Sequence, residues 1–285
     1  MGVAAPVKGL ARTGVRTWGA ATSSQRPLPD FLIIGAKRSG TTTLFRSLQS
    51  HPDVLGLFPA SQDKKSPHYF DLDYQQGERW YRSFFPTERE RRKPDGTERI
   101  SGEASPYYLF HPLAPARIAA AVPDARLVVL LRNPVDRAFS HHWDRVKNGI
   151  EDLSFEEAIA AEDERLAGEQ ERLVQDAAYR SHAYEHFSYV RRGRYAEQLE
   201  RVFAGTPRGR VLVLRSEDLY AEPQAAFDEA LAFLGLAPHR PERFEKLHGH
   251  ADRPTVDPAT RARLDEVFAP HNRALADLLG TEVWW

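Results

Sequence analysis

Phe31-Leu32-Ile33-Ile34-Gly35-Ala36-Lys37-Arg38-Ser39-Gly40-Thr41-Thr42-Thr43 decides how this chain is read. An apolar run of the kind a buried strand carries ends in a glycine loop. The loop feeds Leu44-Phe45-Arg46-Ser47-Leu48, which has helical spacing. A strand–loop–helix turns unpaired backbone N–H groups and the positive end of a helix dipole toward an oxyanion. The GxxxxG spacing is that of a Walker A loop, but Thr41 stands where the phosphate-binding lysine belongs. The cations, Lys37 and Arg38, come before Gly40 instead. Such a loop can hold a phosphate and is ill suited to ATP or GTP.

Outward from this unit the chain alternates short β-rich runs with longer helical ones. The pattern predicts strands over Phe31–Gly35, Val54–Phe58, Arg99–Glu103, Arg126–Arg132 and Val211–Arg215. It predicts helices over Thr42–Ser50, Pro112–Ala121, Val135–Asn148, Ser154–Ala167, Tyr195–Phe203, Pro223–Leu234 and Pro258–Leu279. Ser154 and Glu157 form a capping box at the start of one of these. Arg126–Arg132 is apolar throughout its interior, as a parallel strand covered on both faces requires. The expected fold is α/β, a P-loop-like three-layer sandwich with a central parallel sheet flanked by helices. Residues 30–285 read as one domain, with no internal repeat and no second strand–glycine loop–helix unit.

A net charge of −1 over 285 residues gives no global field for nucleic acid, so an anion site must be local. The absence of cysteine removes disulfides, thiolate metal sites and cysteine nucleophiles, and favours a cytoplasmic location. Residues 1–29 carry Lys8, Arg12, Arg16 and Arg26 and no acid, and read as a disordered basic tail. The alternative is a weak membrane-surface helix with Val7, Leu10, Val15 and Trp18 on one face, interrupted by Gly9 and Gly14.

A second anion site is legible in Leu131-Arg132-Asn133-Pro134-Val135-Asp136-Arg137-Ala138-Phe139-Ser140. Arg132 closes a predicted central strand at its carboxyl end, where α/β folds place their ligands. Pro134 suits the first turn of the next helix, and Ser140 lies two turns along it. An arginine fork plus a hydroxyl clamps a terminal phosphate. The competing reading is a capped helix with Arg132 in a structural salt bridge.

Two phosphate sites without a Walker lysine resemble the PAPS-dependent sulfotransferases, most closely the heparan-sulfate-type carbohydrate enzymes and their bacterial relatives. The resemblance runs through Ser66-Pro67-His68-Tyr69-Phe70-Asp71, Gly102-Glu103-Ala104-Ser105-Pro106-Tyr107-Tyr108-Leu109 and Ser154-Phe155-Glu156-Glu157-Ala158. It continues in Gly193-Arg194-Tyr195-Ala196-Glu197-Gln198-Leu199, Leu214-Arg215-Ser216-Glu217-Asp218-Leu219 and Phe233-Leu234-Gly235-Leu236. It implies sulfuryl transfer from PAPS to a hydroxyl or amine of a carbohydrate, glycolipid or small metabolite, without a metal.

The resemblance also implies roles. Lys37 and Arg38 would face the phosphosulfate, with Arg38 at a position where animal relatives carry lysine. Ser39, Gly40, Thr41 and Thr42 would bind the 5′-phosphate. Arg132 and Ser140 would take the 3′-phosphate, and Arg253, in the His248–Arg253 loop, would close over it. On the acceptor side Ser66 replaces the family's glutamate base, and a serine without its own base cannot do that work at neutral pH. His68 becomes the expected base because imidazole titrates in the useful range. Glu103 is the second candidate. Lys65, Ser66 and Asp71 are expected against the acceptor, and Ala104 stands where animal enzymes place a lysine. Tyr69, Tyr74, Trp80, Tyr107 and Tyr108 could line an acceptor cleft, although aromatic runs of this kind are more often core.

Three rival readings remain. His182-Ala183-Tyr184-Glu185-His186 fits H-x-x-E-H, a zinc-hydrolase pattern, without an evident third ligand. A P-loop kinase would need a lysine after Gly40 and an acid where Arg132 stands. A non-catalytic PAP or PAPS binder would have kept the nucleotide site and lost its base with Ser66.

Overall fold

A computed structural model describes residues 16–59, 65–244 and 255–285. Its centre is a five-stranded sheet, β1 (Phe31–Gly35), β2 (Val54–Leu55), β3 (Ile100–Ala104), β4 (Arg126–Leu131) and β5 (Val211–Arg215), in the order β2-β3-β1-β4-β5. Every strand pair is parallel, and β1 matches Phe31 to Gly102 of β3 and Phe31 to Arg126 of β4. The expected three-layer α/β sandwich is what the chain forms.

The helices α1 (Thr41–Gln49), α2 (Glu78–Arg82), α3 (Glu88–Arg91), α4 (Ala114–Ala121), α5 (Pro134–Lys147), α6 (Phe155–Ala160) and α7 (Glu162–Arg165) occupy the first part. They are followed by α8 (Glu169–Gln175), α9 (His182–His186), α10 (Tyr195–Phe203), α11 (Ser216–Ala221), α12 (Pro223–Leu234) and α13 (Pro258–Leu279). The predicted helix over Ser154–Ala167 is divided at Ala161, and β2 stops three residues short of Phe58. Among the described residues no helix is long and apolar enough to cross a membrane.

Side-chain alternation explains why the strands are apolar throughout. Leu32, Ile34, Leu127, Val129 and Leu131 enter the core on one face of the sheet. Phe31, Ile33, Val128, Leu130 and Leu214 enter the core on the other. All the β1 residues are buried, and each such aliphatic contributes on the order of 1.5–3 kcal/mol when fully covered. The sheet is therefore held from both sides, and the carboxyl ends of β1 and β4 are rigid platforms.

Topology places the site. From β1 the chain crosses to β2 and returns through β3, whereas from β4 it goes the other way to β5. The connections diverge between β1 and β4, the crevice in which open α/β sheets bind ligands.

Residues 16–29 do not form a tail: 16–21 is helical and Ser23–Gln25 makes a 3₁₀ turn. Arg16 lies 4.2 Å over the Phe84 ring and Arg26 lies 4.1 Å over that of Phe58. Arg26 is buried, bonds the Phe85 carbonyl and receives the Arg82 guanidinium on its own carbonyl at 2.8 Å. Ring faces and carbonyls take the place of acids as partners for these cations. The rest of the tail, with Val7, Lys8, Leu10, Arg12 and Val15, lies outside the described residues.

Candidate active site

The loop after β1 is set by backbone bonds. The Ala36 amide reaches the Leu130 carbonyl at 2.7 Å, and the Ser39 amide turns back to the Ala36 carbonyl at 3.1 Å. Gly40 takes φ 89°, where a side chain is strained, and an added Cβ would come within 3.0 Å of the Tyr220 hydroxyl. Arg38 is also left-handed, at φ 76°. The α1 amino terminus follows directly, so the loop amides and the helix dipole converge.

The loop after β4 is built by different means. Asn133 caps α5 by accepting from the amides of Val135 and Asp136 at 3.0 and 3.1 Å, with Pro134 in the first turn. The Asn133 amide donates to Glu217 at 2.8 Å, and the Tyr195 hydroxyl donates to the Arg132 carbonyl at 2.8 Å. These contacts hold Arg132 at the strand end.

The two loops share one cavity of about 220 Å³, lined among others by Lys37, Arg38, Thr42, Lys65, Arg132 and Ser140. Arg38 Nε donates to Ser140 Oγ at 3.2 Å, and Arg132 Nη1 donates to the Arg38 carbonyl at 3.3 Å. Lys65 Nζ donates to Thr42 Oγ1 at 2.5 Å, which places it on the donor side as much as on the acceptor side. Burial, with Arg192 and Arg145 nearby, lowers the Lys37 pKa to about 7. Burial, with Arg46 and Arg38, lowers that of Lys65 to about 8. The wall is thus a set of crowded cations that a bound anion would relieve. Ser39 Oγ and Thr43 Oγ1 are buried without a protein partner, donors of the kind a phosphate takes up. The residues present fit a 5′-phosphate in the first loop and a second phosphate at Arg132.

The acceptor side differs from expectation in three places. Asp71 is not against the acceptor: its side chain is fully buried behind His68, with Oδ2 2.9 Å from His68 Nδ1 and Oδ1 accepting from the Leu72 amide at 2.7 Å. Glu103 is fully buried, and the hydroxyls of Tyr81, Ser105 and Tyr108 donate to its carboxylate at 2.7, 2.5 and 2.8 Å. It has no open path to an acceptor and serves as the hub of a hydroxyl cluster. Burial pushes its pKa up to about 7 against those three donors. Ser66 donates its hydroxyl to the Ala104 carbonyl, so it closes the strand end instead of presenting an oxygen.

His68 stays partly open, with a third of its side chain exposed. Burial disfavours its imidazolium, yet the Asp71 charge and hydrogen bond outweigh burial and raise its pKa. With Asp71 accepting from Nδ1–H, Nε2 is the nitrogen left to take a proton. Tyr69, Tyr107 and Tyr108 are buried, and Tyr74 and Trp80 pack on the core, so the aromatic run is core and not cleft.

His182 and His186 share a face of α9 with rings 4.4 Å apart, but Arg145 Nη1 sits 2.7 Å from His186 Nδ1. A guanidinium there competes with any metal. Among the described residues no three such groups converge as metal ligands. Arg253, with His248 and His250, lies outside the described residues. Asp144 and Arg145, four and five residues beyond Ser140, were missed, although i,i+4 spacing from Ser140 on an expected helix marks Asp144 as its neighbour.

The fold and the paired loops define an α/β protein with a cation-lined cavity at the switch point of its parallel sheet. The family profile described as "Sulfotransferase domain" matches residues 28–253. The chain is 30% identical over 285 residues to human heparan sulfate glucosamine 3-O-sulfotransferase 6, covering 92% of this chain and 75% of that protein. It is 28% identical to the mouse 3-O-sulfotransferase 3A1, of which it spans 65%. A solved sulfotransferase from Alicyclobacillus acidocaldarius superposes with a TM-score of 0.67 at 30% identity, covering 90% of this chain and 97% of that one. The chain belongs to the PAPS-dependent sulfotransferase family.

Proposed function

We propose that the enzyme moves a sulfuryl group from PAPS to a hydroxyl of a carbohydrate acceptor and releases PAP. The observation that carries this reading is the shared cavity in which the Lys37–Thr42 loop and the Arg132–Ser140 pair meet at the switch point of the sheet. Saccharide acceptors are supported by the relatives' names, which specify heparan sulfate glucosamine.

The residues divide the work as follows. Loop amides, Ser39 and Thr42 hold the 5′-phosphate, and Arg132 with Ser140 holds the 3′-phosphate. The acceptor oxygen attacks sulfur as the bond from sulfur to the bridging phosphate oxygen breaks. The electron pair of that bond stays on PAP, where Lys37 and Arg38 stabilise it. His68 Nε2 takes the acceptor proton, and Asp71 holds the resulting imidazolium. The chain supplies positioning and charge stabilisation, the two means that group transfer of this kind requires.

The test is transfer of labelled sulfate from PAPS to heparan-type saccharides, glycolipids and small alcohols or phenols, with products identified by mass. A sulfated saccharide is the expected product. Tight PAP binding without transfer to any of them would make the protein a binder and overturn the proposal.

A further inference from the structure

The guanidinium of Arg38 is gripped by one face of α5. Ser140 Oγ accepts from Nε at 3.2 Å, and Asp144 Oδ1 accepts from Nη1 at 3.0 Å. Ser140 and Asp144 are one helical turn apart, so the helix sets the spacing of the two acceptors. A planar fork fastened at two nitrogens has a fixed plane. Nη2 is left without a protein partner among the described residues, and it is the donor available to a ligand in the cavity.

Asp144 does not stop at Arg38. Its Oδ2 accepts from Arg145 Nη2, and Arg145 Nη1 contacts His186 Nδ1 at 2.7 Å. A continuous chain therefore runs from the donor loop through α5 to α9. Arg132 and Arg145 act on Arg38 with like charge, while Asp144 is the carboxylate paired with it. Without that carboxylate, repulsion would turn a flexible arginine toward solvent.

We propose that Asp144 is a positioning residue for Arg38, fixing the plane of its guanidinium at the donor loop and tying that plane, through Arg145, to His186 on α9. The proposal rests on the reading of Arg38 as the group that faces the bridging oxygen of PAPS. It gives a physical reason for arginine instead of lysine at this position: a fork can be aimed by a carboxylate on one edge while it donates from another. An ammonium has no plane to aim.

Two measurements on the full chain test it. In the PAP complex, the Arg38 Nε–H resonance is expected to show restrained guanidinium rotation, and Asp144→Asn, which keeps the volume, to release it. An equally restrained signal in Asp144→Asn would overturn the proposal. The second measurement is single-turnover cleavage of PAPS with water as acceptor, yielding PAP, sulfate and two protons, one of which the new 5′-phosphate of PAP can retain. Arg38→Ala is expected to slow it about 10²-fold. Asp144→Ala should slow it about tenfold with unchanged PAP affinity, and the double variant should be no slower than Arg38→Ala alone. Asp144→Glu should recover part of the rate. Losses that multiply in the double variant, or weakened PAP binding that tracks a lowered melting temperature, would make Asp144 merely structural. Rates for wild type and Arg38→Ala that are indistinguishable would remove the reading of Arg38 itself, and this proposal with it.

Discussion

Arg132 donates its Nη1–H to the backbone carbonyl of Arg38 at 3.3 Å, across a sequence separation of 94 residues. With the bond from Arg38 Nε to Ser140 Oγ, this contact joins the two loops, each standing at the end of a strand that neighbours the other. The site is a single construction and not two independent ones.

Arg132→Ala should weaken PAP binding by about 10- to 10²-fold, the worth of a charge-assisted hydrogen-bond pair. Binding of adenosine 5′-monophosphate, which has no 3′-phosphate, should change little. Calorimetric titration of both nucleotides checks this; equal losses would place Arg132 outside the 3′-phosphate site.

Nucleotide binding should take up protons. Lys37 and Lys65 have pKa values lowered to about 7 and about 8, and a bound phosphate raises both. At pH 8 the free protein lacks part of this charge and the complex regains it, so PAP affinity should fall as pH rises past 7. Titrations in buffers of different ionisation enthalpy give the proton count; zero uptake at pH 8 would contradict the assignment. Lys37→Met should lower the uptake.

His68→Ala should lower turnover by about 10²- to 10⁴-fold with PAP affinity kept. Because Asp71 raises the His68 pKa, the proton-free base is lost at acid pH and turnover should climb as pH rises through a value above 6.5. Asp71→Asn should move that rise to lower pH. A pH–rate profile that is the same in Asp71→Asn would break the pairing assigned to them.

Glu103 makes a stability prediction. Its carboxyl titrates near 4.5 when unfolded and at about 7 in the folded chain, so the folded state binds the extra proton between those values. Stability contributed by the protonated form is present below 4.5 and is lost as pH rises to about 7. Glu103→Gln should remove that component, and denaturation midpoints across this window should fall less steeply than in wild type. Activity at a fixed pH should survive better than in His68→Ala, since the carboxylate is out of reach of an acceptor.

How much of this was legible depended on locality. β1, its glycine loop and α1 are contiguous, and Arg132 and Ser140 lie eight residues apart on one strand–helix unit, so their grouping is written in a single stretch. Arg38 and Asp144 are 106 residues apart, and nothing in either segment alone indicates the other. Glu103 read as a second candidate base, with a buried salt bridge as the alternative, because the Tyr81 hydroxyl that engages it comes from a separate helix 22 residues away. The basic segment 16–29 lacked acids and so looked unsupported; its partners are rings and carbonyls, which carry no sign in a charge count. Asp71 faced inward because residues around the left-handed His68 leave the regular alternation on which sequence reading depends.

Because β1 and β4 are nearest neighbours, the offset between the two anion grips is gauged by interstrand spacing, about 4.8 Å, and by the length of each loop. Side-chain exchange can loosen either jaw of this calliper but cannot reset its opening. Changing which nucleotide the protein measures would therefore take loop insertions or deletions, and lineages that vary only surface residues should keep the same donor while their acceptors diverge.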